Sequence, residues 1–118
     1  MSDEERGTGT SVVDLPAIAR AADRRVAWSG ASDDLHLNLV VLAPGDAIEG
    51  HVNAEVDVLL VGIDGTGTVD IDEELRTLGP GQAIVIPKGT RRAIAGTGER
   101  FAYLSCHRRR GGLMPTRR

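Results

Sequence analysis

The chain has 118 residues, enough for one domain with a single core and too few for two. Asp and Glu total 17 against 14 Lys and Arg, a formal charge of −3 that excludes a general attraction to nucleic acid, and the lone Cys106 excludes an internal disulfide framework or a cysteine-cluster zinc site. Aromatics are 3% of the chain while glycines number 15, so Val, Leu, Ile and Ala must fill the core and turns must be frequent, which favours an all-β domain.

The start, Met1-Ser2-Asp3-Glu4-Glu5-Arg6, is acidic and unlike a secretory signal. No apolar run approaches the roughly 20 residues of a membrane helix. A cytoplasmic protein with no membrane contact is expected. Residues 1–12 read as a disordered lead-in, 13–110 as one domain, and 111–118 as a basic tail. Asp14-Leu15-Pro16 before Ala17-Ile18-Ala19-Arg20-Ala21-Ala22 predicts a short helix or flap, with Asp14 as cap and Pro16 in the first turn.

From Val26 onward, short apolar runs alternate with turn signals. The runs are Arg25–Trp28, Leu35–Leu42, Val56–Ile63, Thr66–Ile71, Glu74–Leu78, Ala83–Ile86, Arg91–Ala95 and Phe101–His107. Strands at this spacing predict a sandwich or barrel. Asp64-Gly65-Thr66-Gly67 reads as a hairpin turn and not as a phosphate loop, since no helix follows. Leu37–Leu42, Val58–Val61 and Ala83–Ile86 are apolar on both faces. One face fills the barrel, and the other is expected to meet a second copy in a homodimer, a helix of the same chain being the alternative cover.

Two stretches carry chemistry. The first runs from Gly45 through His51, Asn53 and Glu55 to Asp57, and the second is Gly81-Gln82-Ala83-Ile84-Val85-Ile86-Pro87-Lys88-Gly89-Thr90-Arg91-Arg92. Together they resemble the paired motifs of the cupin superfamily, G-x5-H-x-H-x3-E and G-x5-P-x-G-x2-H-x3-N. Gly45 to His51 has the family spacing, and Gly81, Pro87 and Gly89 fall in register. The resemblance spans roughly residues 26–108. It implies a double-stranded β-barrel, or jelly roll, commonly dimeric.

Metal-binding cupins hold a divalent ion with three histidines and a glutamate. Here His51 keeps the first histidine position, Asn53 stands at the second, Asp57 at the glutamate, Arg92 at the last histidine, and Gly96 replaces the closing Asn. An amide oxygen is a weak ligand for first-row metals, and arginine has no lone pair to offer. No cofactor is expected; the alternative is a divalent metal on His51, Glu55 and Asp57. In place of the metal, Arg92 and Asp57 are expected to pair across the barrel.

The leading functional reading is a metal-free protein that binds a small anionic molecule through His51, Asn53, Asp57 and Arg92. The alternative is an enzyme. One form is epimerase- or isomerase-like, with His51 as base, Asp57 orienting it and Tyr103 as acid; the other is an isomerase or dioxygenase on the reduced metal set. A third reading is an inert plugged barrel. His36 and Asn38 share one strand face, which can point inward or to solvent. Tyr103, Ser105 and His107 share another. It either joins the pocket or leaves Leu104 and Cys106 to fill the core with His107 on a basic rim, the arrangement preferred here. Cys106 reads as inert, and the five arginines from Arg108 to Arg118 as a solvated or dimer-bridging tail.

Overall fold

The computed structural model describes residues 10–109. Asp14 caps the helix α1 (Leu15–Ala21) by accepting a hydrogen bond from the Ala17 N–H at 3.1 Å, and Pro16 sits in the first turn. Nine strands follow among the described residues: β1 (Val26–Ala31), β2 (Leu35–Leu42), β3 (Ala47–Val52), β4 (Val58–Asp64), β5 (Gly67–Ile71), β6 (Glu74–Leu78), β7 (Ala83–Ile86), β8 (Arg91–Gly96) and β9 (Phe101–Arg108). They form a five-stranded sheet, β1-β2-β9-β4-β7, and a four-stranded sheet, β3-β8-β5-β6, with antiparallel pairing throughout. This is the jelly roll that the strand series predicts. No helix among the described residues is long and apolar enough to cross a membrane.

Strand β3 is absent from the predicted runs. Its sequence, Ala-Ile-Glu-Gly-His-Val, offers few apolar residues, and Ile48 is the one that packs against the core between the sheets. It is an edge strand, so little of its pattern is set by burial. The turn at 64–67 also differs from the hairpin expected there. Asp64 ends β4 in one sheet and Gly67 opens β5 in the other, so the turn crosses between sheets. The hairpin lies at β5–β6, where Asp72 and Glu73 both take positive φ, 51° and 72°, as a type I′ turn requires.

Two apolar clusters divide the core. Between the sheets, Val40, Leu42, Val58, Leu60, Val69, Ile86, Ile94 and Phe101 interdigitate. On the outer face of the large sheet, Ala19 of α1 packs with Trp28, Leu39, Val41 and Ala102, and Ile18 and Leu104 join them. The helix therefore covers part of the second apolar face. Leu104 belongs to this outer layer and Tyr103 to the inner one, which reverses the facing preferred for β9. Once Phe101 is drawn inward to fill the barrel, alternation sends Tyr103, Ser105 and His107 the same way.

The Phe101 ring lies where a Cβ on Gly67 would stand. Gly67→Ala must then push the largest fully buried side chain aside, and it should cost about 1–3 kcal/mol. A lowered urea midpoint at unchanged slope would show this. Gly98, with nothing within 4 Å of its own Cβ position, is the control: Gly98→Ala should leave the midpoint nearly unchanged.

Candidate functional site

Strand β8 alternates exposed and buried positions, and Arg92 and Ile94 face inward. Arg92 is only 6% exposed. Its register partner across the four-stranded sheet is His51 on β3, just past a bulge between Ile48 and His51. Arg92 Nε donates to His51 Nε2 at 3.2 Å, and His51 Nδ1 lies 3.1 Å from the Glu49 carbonyl. These partners assign the neutral tautomer with the proton on Nδ1, donated to Glu49 O, and the Nε2 lone pair turned to the guanidinium. Arg92 Nη1 is enclosed without a hydrogen-bond acceptor among the described residues.

The pair borders a cavity of about 120 Å³ between the sheets. Asn38, Ser105 and Tyr103 line it from the five-stranded sheet, and the rest of its wall is aliphatic. Asn38 and Ser105 are cross-strand partners, as are Val40 and Tyr103. Asn38 Oδ1 accepts from Ser29 Oγ at 2.6 Å. One pair further out, His36 and His107 meet edge to face with ring centroids 5.2 Å apart, and His107 Nδ1 lies 2.8 Å from the Arg108 carbonyl. His36 and Asn38 thus lie on the inner face of β2, and His107, 8% exposed, is buried, not on an exposed rim.

Asn53 and Asp57 stand elsewhere. Asn53 is buried, but its Oδ1 accepts from the N–H groups of Glu55 at 2.9 Å and Val56 at 3.3 Å, an Asx turn that shapes the β3–β4 loop. Asp57 is exposed and accepts from the Lys88 N–H at 2.8 Å, tying that loop to the β7–β8 turn. The expected pairing of Asp57 with Arg92 does not form, because the Asp57 carboxylate is turned to this backbone donor. Nor does Asp57 orient His51, which the Glu49 carbonyl does. An Asn just past a strand is the sequence signal for such a turn, and Asn53 also coincides with a motif position.

The candidate metal donors lie apart. Among the described residues no three of His, Cys, Asp and Glu lie close enough to share an ion. His51, Glu55 and Asp57 are therefore not gathered, and the imidazole lone pair that would ligate faces an arginine instead.

Larger surface grooves include about 510 Å³ beside β6 and β7, about 330 Å³ around Arg25 and Arg100, and about 210 Å³ beside α1 at Ile18 and Ala21. Arg76, Arg25 and Arg100 in them are engaged. Arg76 pairs with Glu74 at 3.3 Å, Arg25 with Asp46 at 2.6 Å, and Arg100 donates to the carbonyls of Arg20 and Ala22 at the end of α1. The Arg25 bond, with a further one from the Ala47 N–H, holds the Asp46 carboxyl below its usual range.

Burial pushes the Tyr103 phenol up to about 12 from its ordinary 10.0, against weaker opposite pulls from Arg25 and Arg92. Tyr103 is thus a neutral hydroxyl on the cavity wall at physiological pH. The fold favours its protonated form, so this contribution is complete below pH about 10 and is lost as pH rises through about 12. Urea denaturation at stepped alkaline pH should show a decline of about 2–3 kcal/mol from this group. Tyr103→Phe should remove that part of the alkaline slope; an unchanged slope would contradict it.

Comparison with known proteins agrees with the architecture. The cupin domain family model matches residues 38–106, which contain both halves of the site. No curated protein matches the chain. Among solved structures, the chain is similar to BH2720 from Bacillus halodurans, at 24% identity over 85% of this chain and 81% of that one, with a TM-score of 0.71. TT1209 from Thermus thermophilus matches at 24% identity over 82% and 95%, TM-score 0.70. A cupin-2 domain containing protein from Shewanella frigidimarina matches at 20% identity over 83% and 95%, TM-score 0.69. With the paired motifs, the two-sheet barrel and the family match in agreement, the chain belongs to the cupin family.

Proposed function

We propose that this cupin is a small-molecule-binding protein that holds an anion against Arg92 without a metal. The observation that carries this reading is the guanidinium itself, 6% exposed on the wall of the cavity and steadied by His51. Guanidinium stays charged at any physiological pH, is costly to enclose in hydrocarbon, and presents a planar fork matched to carboxylate or phosphate oxygens. Across the cavity, the hydroxyls of Ser105 and Tyr103 offer directional hydrogen bonds. Asn53 and Asp57 serve the site indirectly by fixing the loops at its edge. Acid–base catalysis is less well supported, since the lone pair a histidine base needs is directed at Arg92 Nε.

Thermal shifts with a panel of carboxylates and phosphates test the reading, because a ligand that binds only the folded form raises Tm. Arg92→Ala should weaken binding about 10–100-fold, matching the roughly 1.5–3 kcal/mol of a charged hydrogen bond. Arg92→Lys should also weaken it, since an ammonium lacks the two-pronged geometry. An Arg92→Ala response equal to that of wild type would remove the anchoring role. Elemental analysis of gently purified protein finding close to one transition metal ion per chain would remove the metal-free part.

The same reading includes a homodimer. Leu59 and Val85, register partners 36% and 62% exposed, continue through Cys106 to Leu37 as an apolar row across four strands. A second copy related by a two-fold axis would present the same row to it. Light scattering at low micromolar concentration should give a dimer mass, and a monomer mass would refute it.

A further inference from the structure

We infer that the ligand is a short hydroxy- or oxo-carboxylate, and that Asn38, set by Ser29, selects it by donating to its second oxygen; this rests on the anion-binding reading and deepens it. The cavity has polar groups on two opposed walls. Arg92 enters from β8 in the four-stranded sheet, while Asn38 of β2 and Tyr103 and Ser105 of β9 belong to the five-stranded one. Packed sheets stand about 10 Å apart, so a molecule held against the guanidinium meets the opposite wall as well.

That opposite wall is a cluster of hydrogen-bonding groups without protein partners on the cavity side. Asn38 and Ser105 are cross-strand partners, and Tyr103 lies two residues from Ser105 on the same face. Tyr103 is 4% exposed, yet its hydroxyl bonds to no other described residue, and the same holds for the Ser105 hydroxyl. The Asn38 side chain makes one bond among the described residues: Oδ1 accepts from the Ser29 hydroxyl at 2.6 Å. Ser29 is its register partner on the edge strand β1 and does not line the cavity. With Oδ1 committed, the end of the amide left for the cavity is Nδ2, which only donates. Ser29 is thus a positioning residue and Asn38 the selecting one.

Buried polar groups are hydrogen-bonded as a rule, and an oxygen on the ligand completes this wall. Asn38, Ser105 and Tyr103 are uncharged, which suits a carbonyl or hydroxyl oxygen. Size sets the rest. A cavity of about 120 Å³ takes about four groups the size of a water molecule, at ~30 Å³ each. A three-carbon hydroxy acid is on that scale and a sugar phosphate is not. Its carbon skeleton rests against the aliphatic part of the lining, such as Val40 and Leu60.

The test is calorimetric or NMR titration of the full chain with propanoate, lactate, 3-hydroxypropanoate and pyruvate, equal in carbon number, alongside inorganic phosphate and glucose 6-phosphate. At least one oxygenated acid should bind about 3–10-fold tighter than propanoate, the gain of one neutral hydrogen bond. Asn38→Ala should bring that ratio toward one. Ser29→Ala should lower it and Ser29→Thr, which keeps the hydroxyl, should hold it; a general packing defect would weaken all the acids alike and leave the ratio in place. A wild-type ratio of one or less overturns this inference. So does a ratio unchanged by Asn38→Ala or, where that variant does not fold, by Ser29→Ala, and so does tighter binding of either phosphate than of every acid. If Arg92→Ala abolishes whatever binding is seen, the anion-binding reading stands without it. Binding of none of these anions, or equal binding by wild type and Arg92→Ala, overturns both.

Discussion

Enclosing a guanidinium between two sheets whose facing residues are mostly branched aliphatics is the constraint around which this part of the barrel is arranged. Moving such a charge out of water costs several kcal/mol unless its donors find partners. His51 answers part of that demand with a lone pair. It can do so because its other ring nitrogen is committed to the Glu49 carbonyl two residues back on the same strand. The bulge in β3 precedes His51 directly, and His51 is Arg92's register partner beyond it. Backbone irregularity, tautomer and buried cation are thus one arrangement.

The substitution from histidine to arginine at position 92 changes what the interior can do. A histidine at that position offers a lone pair; an arginine offers five donors and a permanent positive charge. The scaffold need not alter for this exchange. The β8 alternation that points Arg92 inward is the same alternation that seats Ile94 in the core. The barrel therefore fixes where position 92 points and leaves the charge it carries to the individual side chain.

Much of the fold was readable because the strands are bounded by Gly and Pro and their inward residues are large aliphatics. Leu35–Leu42 and Ala83–Ile86 match their predicted limits, and Asp14 caps the helix as its position implies. β3 escaped detection because an edge strand with one core residue carries almost no periodic signal. In the site, His51 and Arg92 could be found from motif spacing, which fixes register. Asn53 and Asp57 could not be placed, since their partners are backbone N–H groups of Glu55, Val56 and Lys88. Which amide a short polar side chain meets depends on the path of the loop. The inward facing of Tyr103 and His107 turned on which face α1 covers, a tertiary choice that strand alternation alone leaves open.

That helix is fastened by the far end of the chain. Arg100 binds the carbonyls of Arg20 and Ala22, and Ala102 and Leu104 supply part of its seat, about 80 residues later in sequence. Closing a loop of that length is entropically unfavourable until the intervening strands are in place. During synthesis α1 emerges early, yet its docking surface is completed only when β9 inserts between β2 and β4. A seven-residue helix is not stable in isolation. This helix, made before every strand among the described residues, is therefore among the last to fold, and Ala19 and Ile18 stay uncovered until the barrel has closed. In the kinetics, helix docking should coincide with burial of Trp28, the chain's single tryptophan and a member of the same cluster.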